Sequence, residues 1–265
     1  MQMSSRTRRC FMSCVSVFFR TQCHTVQARN MNVVLYTCCL GLGIPPIGRY
    51  DSIRTAPFHP SIHTLGNVGH TGRVHARGAW FATWIIDQLA YNGRNMRCEF
   101  AQLLASNYEN RTSLLEVGCG VGTLTYELER TQKFNIVGID TSNEMISVAK
   151  QYIRSPLVCM NGVDFRETVD VSVICMVLHE MPLCAHRDMI NHMMSVSVTD
   201  VWIIDIDPGY QPSRAMLSGE PYMPEYMETI EKTIESIVNE KSDTRTMSTF
   251  PLISGHVRVW RMSDH

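Results

Sequence analysis

From residue 113 onward, near-continuous apolar runs alternate with stretches whose apolar residues recur every three or four positions. The runs are residues 114–117, 134–139, 157–160, 169–177 and 201–206. A strand buried on both faces reads this way, and helices between such strands imply a parallel sheet. The helical stretches carry Met145, Val148, Ala149, Tyr152 and Ile153, ended by Pro156, then Met189, Ile190, Met193 and Met194, and later Met227, Ile230, Ile234 and Ile237. Thr141 with Glu144 forms a capping box for the first of them. Residues 247–252 and 257–262 flank Ser254-Gly255, so two closing strands make an antiparallel edge. The pattern predicts an α/β fold with five parallel strands and two more at one edge.

The first 112 residues read differently. Trp80, Phe81, Trp84, Ile85 and Leu89 recur at helical spacing, which predicts a helix whose apolar face is core. A second short helix is expected over residues 97–105. Residues 63–73, rich in Gly, His and Thr, have no apolar period and read as a loop. Residues 51–112 are therefore expected to form a helical cap, and residues 113–265 the ligand-binding domain. Residues 1–50 hold no Asp or Glu and carry six Arg. That composition fits an organelle transit segment, an unaddressed leader or, more loosely, a secretory signal.

One stretch outweighs the others: Glu116-Val117-Gly118-Cys119-Gly120-Val121-Gly122-Thr123, at the end of the first run, with Asp140 at the end of the second. Strand, glycine turn, helix, strand and acid form the first half of a nucleotide-binding α/β unit. A dinucleotide site wants its third glycine at 123, where Thr stands, and has no need of an acid at 116. Glu-x-Gly-x-Gly-x-Gly resembles the first motif of the class I S-adenosylmethionine-dependent methyltransferases. The resemblance implies a Rossmann-like, seven-stranded, mostly parallel sheet with an antiparallel edge, and S-adenosyl-L-methionine as cofactor.

It also implies roles. Gly118, Cys119, Gly120 and Gly122 bring backbone to the amino-acid half of the cofactor, and Glu116 helps hold its amine. Asp140 takes the ribose hydroxyls, with Thr141 and Ser142 along the adenine edge. Asp164 and Phe165 match the acid and hydrophobe that read the adenine. Met176-Val177-Leu178-His179-Glu180-Met181-Pro182 is similar to a strand end in methyltransferases related to ubiquinone and menaquinone biosynthesis. Met176 and Val177 contact the methionine amine there, and the following side chains face the acceptor. His179 is the candidate general base or acceptor-orienting group, with loop stabilisation as the alternative. Glu180, Tyr210, Arg214 and His70 are further acceptor-side candidates. The expected function is methyl transfer to a small-molecule acceptor. The rivals are an NAD(P)-dependent oxidoreductase and a non-catalytic cofactor-binding or scaffold protein.

Composition narrows this further. A net charge of −1 and a pI near 6.8 give no nucleic-acid footprint. Five of the ten cysteines lie in the first 39 residues and the rest are scattered. No pair has zinc spacing, so free thiols and no metal site are expected. No apolar run is long enough to span a membrane. An intracellular location follows from the cofactor, in an organelle if the Arg-rich segment is a transit peptide and cytoplasmic otherwise.

Overall fold

The first apolar run becomes β1 (Thr112–Val117), at the heart of a seven-stranded sheet. The computed structural model describes Gly66, residues 69–240 and residues 245–264, and the expectations for residues 1–65 otherwise lie outside it. The other strands are β2 (Phe134–Asp140), β3 (Leu157–Cys159), β4 (Val169–Cys175), β5 (Ser197–Ile206), β6 (Thr246–Ile253) and β7 (Val257–Ser263). Their order is β3-β2-β1-β4-β5-β7-β6. The first five run parallel, and β7 runs antiparallel to both neighbours. The expected Rossmann-like sheet with an antiparallel edge is what forms.

Strand side chains alternate between two faces, and each face has its own core. Val201 and Ile203 of β5 join Leu115 and Ile174 under α5 (Leu183–Val196) and α7 (Met223–Glu240). Trp202 and Ile204 join Leu114, Val171 and Val173 under α2 (Met96–Asn107) and α3 (Thr123–Thr131). Met96, Phe100 and Leu104 of α2 are fully buried in that second core. So α2 is a layer of the main body and not part of a separate cap. A short helix, α6 (Arg214–Gly219), precedes α7 and had no periodic signal.

The first described helix, α1 (Gly69–Leu89), corrects two expectations. Gly69 to Arg73 are helical, not loop. The helix start is tied down from outside, because Gly69 N–H donates to Glu144 Oε1 at 2.7 Å. The aromatic stripe is also not core: Phe81, Trp84 and Leu89 are each about half exposed. Instead α1 lays small residues on the body, with Gly72 and Ala76 buried. Ala76 meets Val121 and Met145, and Trp80 of the stripe packs inward, against Tyr126 and Tyr152. Small side chains let a helix backbone approach closely, and periodicity of large ones cannot reveal that.

α4 (Asn143–Ala149) is capped by Ser142, whose hydroxyl accepts from Met145 N–H at 3.2 Å. The expected Thr141–Glu144 box is thus displaced by one residue, and Glu144 serves α1. The helix ends at Ala149, leaving Tyr152 exposed. Among the described residues, no helix is long and apolar enough to cross a membrane.

Candidate active site

A cavity of about 260 Å³ opens at the carboxyl ends of β1, β2 and β4, where open α/β sheets bind ligands. Its floor is the glycine turn after β1: Glu116, Gly118, Cys119 and Gly120 line it. Asp140 and Thr141 line it from β2, Met160 and Gly162 from the segment after β3, and Met176, Val177 and Glu180 from the end of β4. The roof is α1, through His75, Ala79 and Thr83.

The glycines divide the work. Gly120 has φ +54 and open space where a Cβ would stand, so its backbone faces the cavity bare. Gly122, at φ +80, is required by packing instead: a Cβ would lie 2.6 Å from Ile153 Cγ1. It sits at the N-cap of α3 and does not line the cavity.

The acids are held firmly. Asp140 Oδ2 accepts from Gly120 N–H and its Oδ1 from Ser142 N–H, both at 2.8 Å. The carboxylate therefore stitches the glycine turn to the end of β2. Burial pushes its pKa up to about 6, against the pull of those amides. Glu116 is 2% exposed and accepts from the Thr125 hydroxyl at 2.7 Å. Burial pushes its pKa to about 8, with Thr125 and the Arg97 guanidinium opposing. Arg97, from α2, also lines the cavity.

After β4 the backbone turns sharply: Met176 has φ +57, and a single 3₁₀ turn covers Leu178–Glu180. Asp205, at the end of β5, holds that turn. Its Oδ2 accepts from Leu178 N–H at 2.8 Å and Val177 N–H at 3.2 Å. Its Oδ1 lies 2.6 Å from His179 Nδ1. Burial alone would lower the His179 pKa, but the Asp205 carboxylate overrides it and raises it to about 9.

Several candidates lie away from the cavity lining. Asp164 is exposed, with Arg166 at 3.8 Å, and Phe165 is buried in the core of α5. Ser142 is a helix cap, and His70 is exposed on the first turn of α1, where His75 takes the cavity position. Arg214 is exposed, and Tyr210 packs near the His256 ring at 5.3 Å. Asp205 and Asp207 stand at the end of β5. Both are buried in structural bonds, Asp207 with Arg258 Nε at 3.1 Å. His179 stands behind Glu180 and is not itself part of the lining. The lining residues that carried no sequence signal are chiefly His75, Thr83, Arg97, Met160 and Gly162. They come from helices and turns with no motif.

Residues 114–200, which carry the cavity lining except for that from α1 and α2, match the sequence model of the family described as a methyltransferase domain. No curated protein matches the chain in sequence. Among solved structures, the chain resembles a magnesium protoporphyrin IX methyltransferase from Synechocystis PCC 6803 with bound S-adenosylmethionine. The identity is 18%, the TM-score 0.52, and the match covers 73% of this chain and 95% of that one. It also resembles the plantazolicin methyltransferase BpumL in complex with a monoazolic analogue and S-adenosylhomocysteine. There the identity is 16%, the TM-score 0.52, and the coverage 73% and 95%. At these identities the likeness shows the fold alone, including β6 and β7 beyond the residues that match the family model.

Proposed function

We propose that the protein transfers the methyl group of S-adenosyl-L-methionine to a small-molecule acceptor. The observation that carries this is Glu116: a buried carboxylate at the cavity floor, pushed up to about 8. Such a group favours a ligand that brings its own cation. S-adenosylmethionine brings an ammonium and a sulfonium. A dinucleotide's pyrophosphate dianion brings no cation to offset the burial of this acid, so the oxidoreductase reading lacks that support. The bare backbone at Gly120 and the Asp140 carboxylate beside it suit a ligand with a ribose diol. The two solved structures described above hold the methyl donor or its demethylated product.

When bound, the donor supplies an activated methyl carbon: the C–S bond breaks as the acceptor's new bond forms, and S-adenosylhomocysteine leaves with the electron pair. The chain's part is alignment. Glu116 and the glycine turn would hold the amino-acid end, and Asp140 the ribose. Met176 and Val177 set the strand end against the reacting centre, and α1 keeps water out. Glu180 faces the acceptor side. Asp164, Phe165, Tyr210, Arg214 and His70 are given no contact with either substrate. The acceptor is a small molecule on this reading, because α1 roofs the cavity and the chain has no basic surplus. An intracellular site of action follows from the donor. The described folded unit runs from α1 to β7.

Calorimetry with S-adenosylmethionine and with NADH, followed by an assay for S-adenosylhomocysteine across a metabolite panel, tests the proposal. Binding of the sulfonium and not of NADH is expected. Binding of NADH alone overturns the reading, and sulfonium binding with no turnover on any acceptor favours a scaffold.

A further inference from the structure

Beside the cavity, a second cluster gathers around His179. The ring is nearly buried, and its Nδ1 is committed to Asp205 Oδ1 at 2.6 Å. That contact fixes the ring plane and aims Nε2 to the opposite side, toward Glu180 Oε1 at 3.9 Å, beyond hydrogen-bond reach. Glu220, on the segment between α6 and α7, closes the group. One ligand atom from each of His179, Glu180 and Glu220 lies within 4.8 Å of the others. We propose that His179, Glu180 and Glu220 form a binding site for a divalent transition-metal cation, with Asp205 as the carboxylate that orients the histidine.

The donor set selects the metal. One imidazole and two carboxylates suit Mn²⁺, Fe²⁺ or Zn²⁺, whereas Mg²⁺ and Ca²⁺ prefer oxygen alone. A ligating histidine almost always gives its second ring nitrogen to a carboxylate or carbonyl, which holds the ring in place. Asp205 does this, and it also accepts the backbone amides of the turn that carries His179 and Glu180. Metal bonds of about 2.0–2.2 Å require the three ligand atoms to draw somewhat closer. The glutamates can supply that movement. The Glu180 side chain is 30% exposed, and Glu220 follows the last turn of a six-residue helix.

Chain spacing gave no hint of this site, because Glu220 stands 40 residues from Glu180 and the cysteine and histidine spacings carry no metal signature. Glu180 also lines the donor cavity. A cation here would stand on the acceptor side, where it can hold and acidify a hydroxyl group. That role rests on the methyl-transfer reading, while binding itself does not.

The test uses the full chain, stripped with a chelator and titrated with Mn²⁺ by electron paramagnetic resonance and with Zn²⁺ by calorimetry. One saturable site is expected. Glu180→Gln and Glu220→Gln should each weaken it by about tenfold or more, the scale of losing a partner at a metal site. Their metal-free melting temperatures should stay near the parent's. No saturable binding below millimolar metal overturns the proposal, as does binding of equal strength in both variants. S-adenosylmethionine affinity is measured on the same samples. Metal binding without donor binding upholds the cation site and sinks the methyl-transfer reading. Donor binding without metal binding does the reverse.

Discussion

At the scale of single residues, Glu116 and Asp140 decide most. An acid whose folded pKa is raised holds its proton in the native state where the unfolded chain has lost it. Stability then falls as pH rises from the unfolded value to the folded one. For Glu116 that window runs from 4.5 to about 8. The ligand-free protein should therefore melt at a lower temperature at pH 8 than at pH 5, and Glu116→Gln should flatten the dependence. Melting curves across this range check it. A variant as pH-sensitive as the parent would assign the effect elsewhere. Asp140→Ala should weaken donor binding by about 1.5–3 kcal/mol, the scale of hydrogen bonds to a charged group. It should also destabilise the protein, because the Gly120 and Ser142 amides lose their acceptor. The place of Asp140 in the motif assigns it to the ribose hydroxyls alone. The hydrogen bonds show that it serves the fold as well, so calorimetry and melting must be measured together.

At the scale of elements, α1 is where periodicity misled. Most of its large apolar side chains, Phe81, Trp84 and Leu89 among them, are exposed, and its buried seam is Gly72 and Ala76. The same helix turns His75, Ala79 and Thr83 to the cavity, so its seating and the ligand's enclosure are one event. Ala76→Leu should wedge α1 away from Val121 and Met145 at a cost of about 1–3 kcal/mol, as overpacking does. Donor affinity should fall with it. Titration of the variant well below its melting temperature decides the matter, and unchanged affinity would make α1 a structural strap only. The helices that the sequence placed well, α5 and α7, are those whose buried faces are built from large residues such as Met189, Met193, Ile230 and Ile234.

At the scale of the whole molecule, two cores share one sheet. Among the described residues, those that line the cavity lie between His75 and Met189. Residues 1–50 hold no Asp or Glu and no motif tied to the sheet, and removing them should leave folding and donor affinity unchanged, as measured by melting and calorimetry on the shortened chain. Aggregation or lost binding would place that segment in the fold.

What the sequence determined by itself was local and periodic. Five apolar runs and a closing hairpin set the strands and their count, because a strand buried on both faces leaves an unbroken apolar record. The glycine turn and the acids at 116 and 140 were readable because both belong to one strand–turn–helix–strand unit. Tertiary structure alone decided the rest. It placed Ser142 rather than Thr141 at the helix cap, buried Asp205 behind His179, and brought Glu220 to Glu180. It also chose the small face of α1 over the aromatic one. Each of these depends on which surfaces meet across the chain, and burial, close approach and side-chain convergence are properties of pairs that no single stretch contains.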